Sequence, residues 1–221
     1  TPSPAKLLTT MFEHYYSAKT LVGSITLTQS AGGEAGKIDT QIQYERPAKL
    51  FLKQQMRTSS GSIWLVTSDG KHFSYNKPRD TNVISINTGN RLVESIVNKE
   101  GQLDIGGIYA AASKSLGDRS TALDIAVARK QDLTFLRQQW ATIKVNGSAN
   151  VDGVDFWKVE GDWREYGEAN ISGRFTMLVS DAGDLRQFAI TETLAVNGQA
   201  VPLQSRWDVN LTVGAAPNQD L

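Results

Sequence analysis

Ile38-Asp39-Thr40-Gln41-Ile42-Gln43-Tyr44-Glu45-Arg46-Pro47 is the stretch on which the reading of this chain turns. Ile38, Thr40, Ile42 and Tyr44 alternate with Asp39, Gln41, Gln43 and Glu45. A period of two is that of a strand with one face in a core and one in water. Pro47 has no amide hydrogen to give to a central ladder and ends the run. Residues 49–56 follow at once as a second strand. Residues 21–29 precede, with Ile25 and Leu27 set against Thr26 and Thr28, and the glycine-rich residues 31–36 form the turn between.

Further out the same pattern repeats. Residues 63–67 and 71–76 flank Ser68-Asp69-Gly70, where glycine supplies the positive φ of a tight hairpin turn. Pro78 punctuates, and residues 82–87 predict another strand. Before all of these, residues 5–19 place Leu7, Leu8, Met11, Phe12 and Tyr15 at helical spacing behind a Ser3-Pro4 start signal. The middle differs. Residues 91–99, 105–116 and 121–139 lose the alternation, gain alanine and leucine, and are separated by glycines, which predicts an inserted helical block at about 91–139. Alternation then returns in residues 141–151, 154–161, 171–180, 184–194 and 202–212, joined at Asn146-Gly147, Asp152-Gly153, 181–184 and Asn197-Gly198.

Strands that come as hairpins, with helices gathered elsewhere, make an α+β protein with an antiparallel sheet. About eleven strands are too many to lie flat. The expectation is therefore a strongly curved antiparallel sheet, an incomplete β-barrel capped by helices, in a single domain spanning the 221 residues.

Composition removes several functions. Lys plus Arg and Asp plus Glu both number 23, so the net charge is zero and no basic surplus exists for nucleic acid. With no cysteine there are no disulfides, thiolate nucleophiles or cysteine-held metals. No run reaches the roughly 18 apolar residues of a spanning helix. The opening Thr1-Pro2-Ser3-Pro4 reads as a trimmed tether, which places a signal or lipid-anchor region upstream as an expectation. His14 and His72 stand far apart with no second ligand at metal-binding spacing, so no metal is expected. No nucleophile elbow, phosphate loop or dinucleotide fingerprint occurs, so neither a cofactor nor catalysis is expected. Asp152, Asp155, Glu160 and Asp162 crowd a turn and read as a solvated edge.

The aromatic residues are more informative. Tyr44, Trp64, Phe73 and Tyr75 fall in adjacent predicted strands beside Ile42, Leu50, Leu52 and Val66. They form either an ordinary sheet core or the wall of a cavity, because a strongly curved sheet of this size encloses more space than its own side chains fill.

Two stretches resemble a known family. They are Tyr44-Glu45-Arg46-Pro47-Ala48-Lys49-Leu50-Phe51-Leu52 and residues 65–78, which run through Ser68-Asp69-Gly70-Lys71 to Tyr75-Asn76-Lys77-Pro78. An Arg-Pro strand end, an aromatic-rich strand and a Ser-Asp-Gly-Lys hairpin leading to Tyr-Asn and proline, in this order, resemble the LolA/LolB superfamily of periplasmic lipoprotein carriers and sorting proteins. The resemblance implies an incomplete barrel closed by helices over an apolar cavity for acyl chains. It implies a non-enzymatic, exported, monomeric protein of lipoprotein transport or sorting to the outer membrane. Its partners would be the acyl chain of a lipid or lipoprotein and membrane-associated transport proteins. The implied lining is Met11, Tyr15, Ile42, Tyr44, Leu50, Leu52, Trp64, Val66, Phe73 and Tyr75. Arg46 takes the position that the carriers tie to lipoprotein handling. The central insert departs from the family pattern and leaves the partners open. The alternative is a sensor or envelope-assembly module of the same fold with no bound lipid.

Overall fold

The structure, a computed structural model, describes residues 1–57, 61, 63–76, 91–94, 104–118, 120–164 and 172–218. Helix α1 (Pro4–Tyr16) leads into β1 (Thr20–Ala31), β2 (Glu34–Glu45), β3 (Lys49–Met56), β4 (Ile63–Asp69), β5 (Phe73–Asn76) and β6 (Arg91–Glu94). Helices α2 (Ile105–Ala112), α3 (Thr121–Val127) and α4 (Leu133–Gln138) follow. The chain ends with β7 (Trp140–Val151), β8 (Val154–Trp163), β9 (Gly173–Ser180), β10 (Leu185–Val196) and β11 (Gln199–Val213). The protein is α+β. Its eleven described strands form one antiparallel sheet in the order β6-β5-β4-β3-β2-β1-β11-β10-β9-β8-β7, which is linear and unclosed.

Two readings of the sequence are corrected here. The first is Asn146-Gly147, expected as a turn, which lies inside β7, where the register with β8 shifts between Val145 and Ser148. Residues 91–94 were expected to open the helical block, yet they are a strand paired with β5, Tyr75 opposite Leu92 and Ser74 opposite Val93. Four residues carry too little helical period to compete with a free sheet edge, where pairing outweighs local propensity. The strand expected at 82–87, and the helical reading of 95–99, lie outside the described residues. The remaining helical readings in the insert are α2, α3 and α4.

The chain packs as two compact units, the first being Thr1–Ser17, Leu27–Ala35 and Asp124–Val209. There α1 begins at Ser3, whose hydroxyl accepts from the Lys6 amide at 3.3 Å. Its stripe of Leu7, Leu8, Met11, Phe12 and Tyr15 is buried. Phe12 stacks on Trp140 with ring centroids 5.5 Å apart. Phe188 sits among Trp140, Phe175, Trp163 and Trp207 at 5.6 to 6.3 Å. Such rings dominate core energetics because each removes 150–250 Å² or so from water.

The second unit is Ala18–Thr26, Gly36–Leu123 and Asn210–Leu221. It contains most of β2, all of β3 to β6, and α2. The close approach of β1 to β11 here depends on Gly23: a Cβ at that position would lie 2.1 Å from the Asn210 carbonyl oxygen. No residue with a side chain fits there without moving a strand.

Candidate functional site

The alternation of residues 38–45 becomes a physical face in the second unit. Ile42 is opposite Leu52, Leu52 opposite Val66, and Val66 opposite Tyr75. One step along, Tyr44 is opposite Leu50, Leu50 opposite Ser68, and Ser68 opposite Phe73. Trp64 is opposite Gln54, which is opposite Thr40. In a pleated sheet, residues in register share a face. Eight of the expected lining residues are thus brought together, and each is buried, from Tyr44 and Leu52 at 0% exposure to Tyr75 at 9%. Phe73 and Tyr75 stack with centroids 6.1 Å apart.

Met11 and Tyr15 belong to the first unit. Both are buried there, and the Tyr15 hydroxyl accepts from the Leu185 amide at 3.1 Å. Gly183, at φ +97°, lies so close to α1 that an added Cβ would be 2.8 Å from the Thr10 carbonyl oxygen.

Residues 104–118 cover part of the face. Asp104 caps α2 by accepting from the Gly107 amide at 2.8 Å. The Ile105 amide donates to the Pro47 carbonyl at 2.8 Å, which anchors the helix start to the β2–β3 turn. Gly117 lies on the Trp64 indole, where a Cβ would stand 2.6 Å from the ring. The far end is held by Gln54, whose Nε2 donates to the Asp118 carbonyl at 2.8 Å and whose Oε1 accepts from its amide at 3.0 Å. Gln54 follows Leu50 and Leu52 on the core-facing side of β3 and is fully buried. A polar residue at a core-facing position signals a specific partner, but nothing in the sequence names Asp118, 64 positions away. Thr40, opposite Gln54 and also fully buried, has no hydrogen-bond partner for its hydroxyl among the described residues.

Arg46 is half-buried at the end of β2. Its Nε donates to the Ala18 carbonyl at 3.0 Å, its amide donates to Lys19, and its guanidinium lies 5.2 Å from the centre of the Tyr44 ring. This arrangement secures the entry to β1 and places a cation on an aromatic face. Burial pushes the Tyr44 phenol above its ordinary pKa, while the neighbouring Arg46 charge and hydrogen bond pull it back. At the β4–β5 turn, Asp69 Oδ1 accepts from the Lys71 and His72 amides at 2.7 and 2.8 Å. Those two bonds hold its carboxyl below the ordinary range, the His72 amide contributing most.

The histidines acquire neighbours that sequence spacing hid. His14 Nε2 lies 3.0 Å from Asp184 Oδ1, though off hydrogen-bond geometry, and Ser180 Oγ is 2.8 Å from Asp184 Oδ2. The carboxylate sits between the other two groups. A histidine so placed does not face the hydroxyl whose proton a base must take, so this trio lacks the nucleophile–base contact of a hydrolase.

A separate pocket of about 460 Å³ opens in the second unit, lined by Val22, Gly23, Ser24, Gln41, Ile42, Gln43, Phe51 and Asn218. Apart from Ile42, none of these was expected at a site. Gln41 and Gln43 alternate with the apolar residues of β2, which assigns them to water, and Phe51 lies between Leu50 and Leu52 on β3.

No protein-family model matches the chain, and no curated protein does. Among solved structures the chain is similar to the Pseudomonas aeruginosa MucA/MucB complex at 15% identity, over 98% of this chain and 59% of that one, with a TM-score of 0.45. The chain thus spans about three fifths of that protein. It is similar to LppX, a lipoprotein of Mycobacterium tuberculosis, at 13% identity over 95% and 98% of the two chains, with a TM-score of 0.41. It is also similar to a LolA superfamily protein from Nitrosomonas europaea at 8% identity over 99% and 97%, with a TM-score of 0.34.

Proposed function

We propose that the buried face of β2 to β5 is the wall of an acyl-chain site and that residues 104–118 are its cover. On this reading the protein is a non-enzymatic, exported lipid- or lipoprotein-binding protein of the envelope, acting in lipoprotein transport or sorting to the outer membrane. The observation that carries it is the contrast between wall and cover. The wall is a broad row of aromatic and aliphatic side chains: Ile42, Tyr44, Leu50, Leu52, Trp64, Val66, Phe73 and Tyr75. The cover is a two-turn helix with Gly106 and Gly107 in its first turn. Each glycine costs a helix about 1 kcal/mol relative to alanine, so α2 is held by its contacts rather than by propensity. Those contacts end in a few discrete bonds, at Pro47 and at Gln54.

An acyl chain entering the face would displace the cover and take over its apolar contacts, gaining about 25 cal/mol per Å² buried. Arg46, at the rim beside Tyr44, would meet a headgroup or acylated cysteine backbone. The resemblance of residues 44–78 to the carriers supports the same reading.

One observation favours the second reading, a sensor or envelope-assembly module. The side chains of the wall are buried, as those of a filled core would be. Native mass spectrometry of protein purified from the envelope fraction, with lipid extraction, separates the two. A co-purifying lipid or lipopeptide that is lost in Leu52→Asp, while Leu52→Met keeps it, supports the acyl site. A bare mass, together with no uptake of added palmitate or a triacylated lipopeptide, overturns it and leaves the module.

A further inference from the structure

We infer that the 460 Å³ pocket on the opposite side of β1 to β3 binds a neutral saccharide. The inference does not depend on the acyl site. Gln41, Gln43 and Phe51 alternate with Ile42, Leu50 and Leu52 along their strands, so they face away from the apolar wall.

The volume lies within the roughly 300–1,000 Å³ of small-molecule sites and suits a monosaccharide or disaccharide. The lining has no charged residue, in a chain that is 21% charged. Phosphate and carboxylate ligands would bind without a countercharge there, which makes them poor occupants. An acyl chain would leave the Nε2 groups of Gln41 and Gln43 and the hydroxyl of Ser24 facing hydrocarbon, at a cost for each. What remains is a ligand that is itself uncharged and rich in groups that both donate and accept. Carboxamides and hydroxyls match sugar hydroxyls in that respect.

Two features add specificity. Phe51 is half-buried on a face whose neighbours are polar, directly opposite Gln43 in the register. The negative face of its ring attracts the electropositive C–H face of a pyranose. Gln43 is also fixed: its Oε1 accepts from the Asn218 amide at 3.1 Å, so its Nε2 is presented as a donor. Lys53, opposite Gln41, stays outside the lining. Ring, oriented amide and hydroxyl thus converge on one pocket.

The test uses the whole chain with three probes, N,N′-diacetylchitobiose, maltose and cellobiose, in saturation-transfer NMR and titration calorimetry. At least one should bind saturably, and Phe51→Ala should weaken it about tenfold. Gln41→Ala, at an exposed position that leaves the core intact, should weaken it by a smaller factor. Val154→Ala, at an exposed position in the first unit, should leave it unchanged. Absence of binding by all three probes at about 10 mM, beyond the weakest affinities of interest, overturns the inference. So does binding that survives both substitutions.

Discussion

The Gln54 carboxamide grips the Asp118 backbone at both ends, donating to its carbonyl at 2.8 Å and accepting from its amide at 3.0 Å. The side chain thereby does what a neighbouring strand would do, pairing an N–H and a C=O of a segment that belongs to no ladder. Both groups are buried, so each needs a partner.

Removing this bracket should be expensive. Gln54→Ala leaves a buried donor and a buried acceptor unmatched, each costing about 1–3 kcal/mol. Urea unfolding should show a loss of about 2–4 kcal/mol, and the Asp118 amide should exchange faster in deuterium oxide. A loss below about 0.5 kcal/mol, the range of an ordinary surface substitution, would mean that the bracket contributes nothing.

The Gly117–Trp64 contact predicts a coupled pair. Gly117→Ala puts a methyl group 2.6 Å from the indole, which costs about 1–3 kcal/mol of overpacking. Trp64→Phe alone opens a gap, but together with Gly117→Ala the smaller ring makes room for the methyl. A double-mutant cycle should therefore show the pair less destabilised than the sum. Additive losses would show that the two do not press on each other.

The acid limb of stability should depend on Asp69. Its carboxyl is held below the ordinary range, so its stabilising effect is present above the unfolded value of about 3.9 and is lost as pH falls through the lower folded value. Asp69→Asn keeps an acceptor for the Lys71 and His72 amides but cannot titrate. Melting temperatures between about pH 2 and 5 should fall less steeply for Asp69→Asn than for the parent, while Asp69→Ala melts lower throughout. Parallel curves for parent and Asp69→Asn would rule out this contribution.

At the alkaline end the sign reverses. Burial raises the Tyr44 pKa, so the neutral phenol is favoured in the folded state. Its contribution is complete below the unfolded value of about 10 and is lost as pH rises toward the folded one. Tyr44→Phe should remove that alkaline loss, read as a flatter denaturation midpoint from about pH 9.5 upward. An unchanged slope would place the effect on another tyrosine.

Much of this was readable in one dimension. The alternation from Ile38 to Tyr44 marks one face of β2 as the apolar one, because one-sided burial imposes a period of two, and Ile38, Thr40, Ile42 and Tyr44 are all buried. The strand expected at 49–56 matches β3 at both ends, since Pro47 fixes where it can start. What failed did so for want of long-range information. Arg91–Glu94 became a strand because β5 offered it an edge. Asp184 reached His14 from 170 positions away, since α1 packs against the β9–β10 turn. Residues 95–99, the remainder of that first helical stretch, lie outside the described residues.

The sequence by itself determined that hairpins flank a helical block, that the strands pair antiparallel and that β2 has one apolar face. All of these follow from local periodicity and turn chemistry. Tertiary structure alone decided that Gln54 would hold Asp118, that Gly117 would rest on Trp64, and that Gln41, Gln43 and Phe51 would line a pocket with Asn218. The physical reason is range: alternation is a property of neighbours in the chain. A hydrogen-bond partner or a pocket wall is a property of neighbours in space, and the residue type records only that a partner is needed.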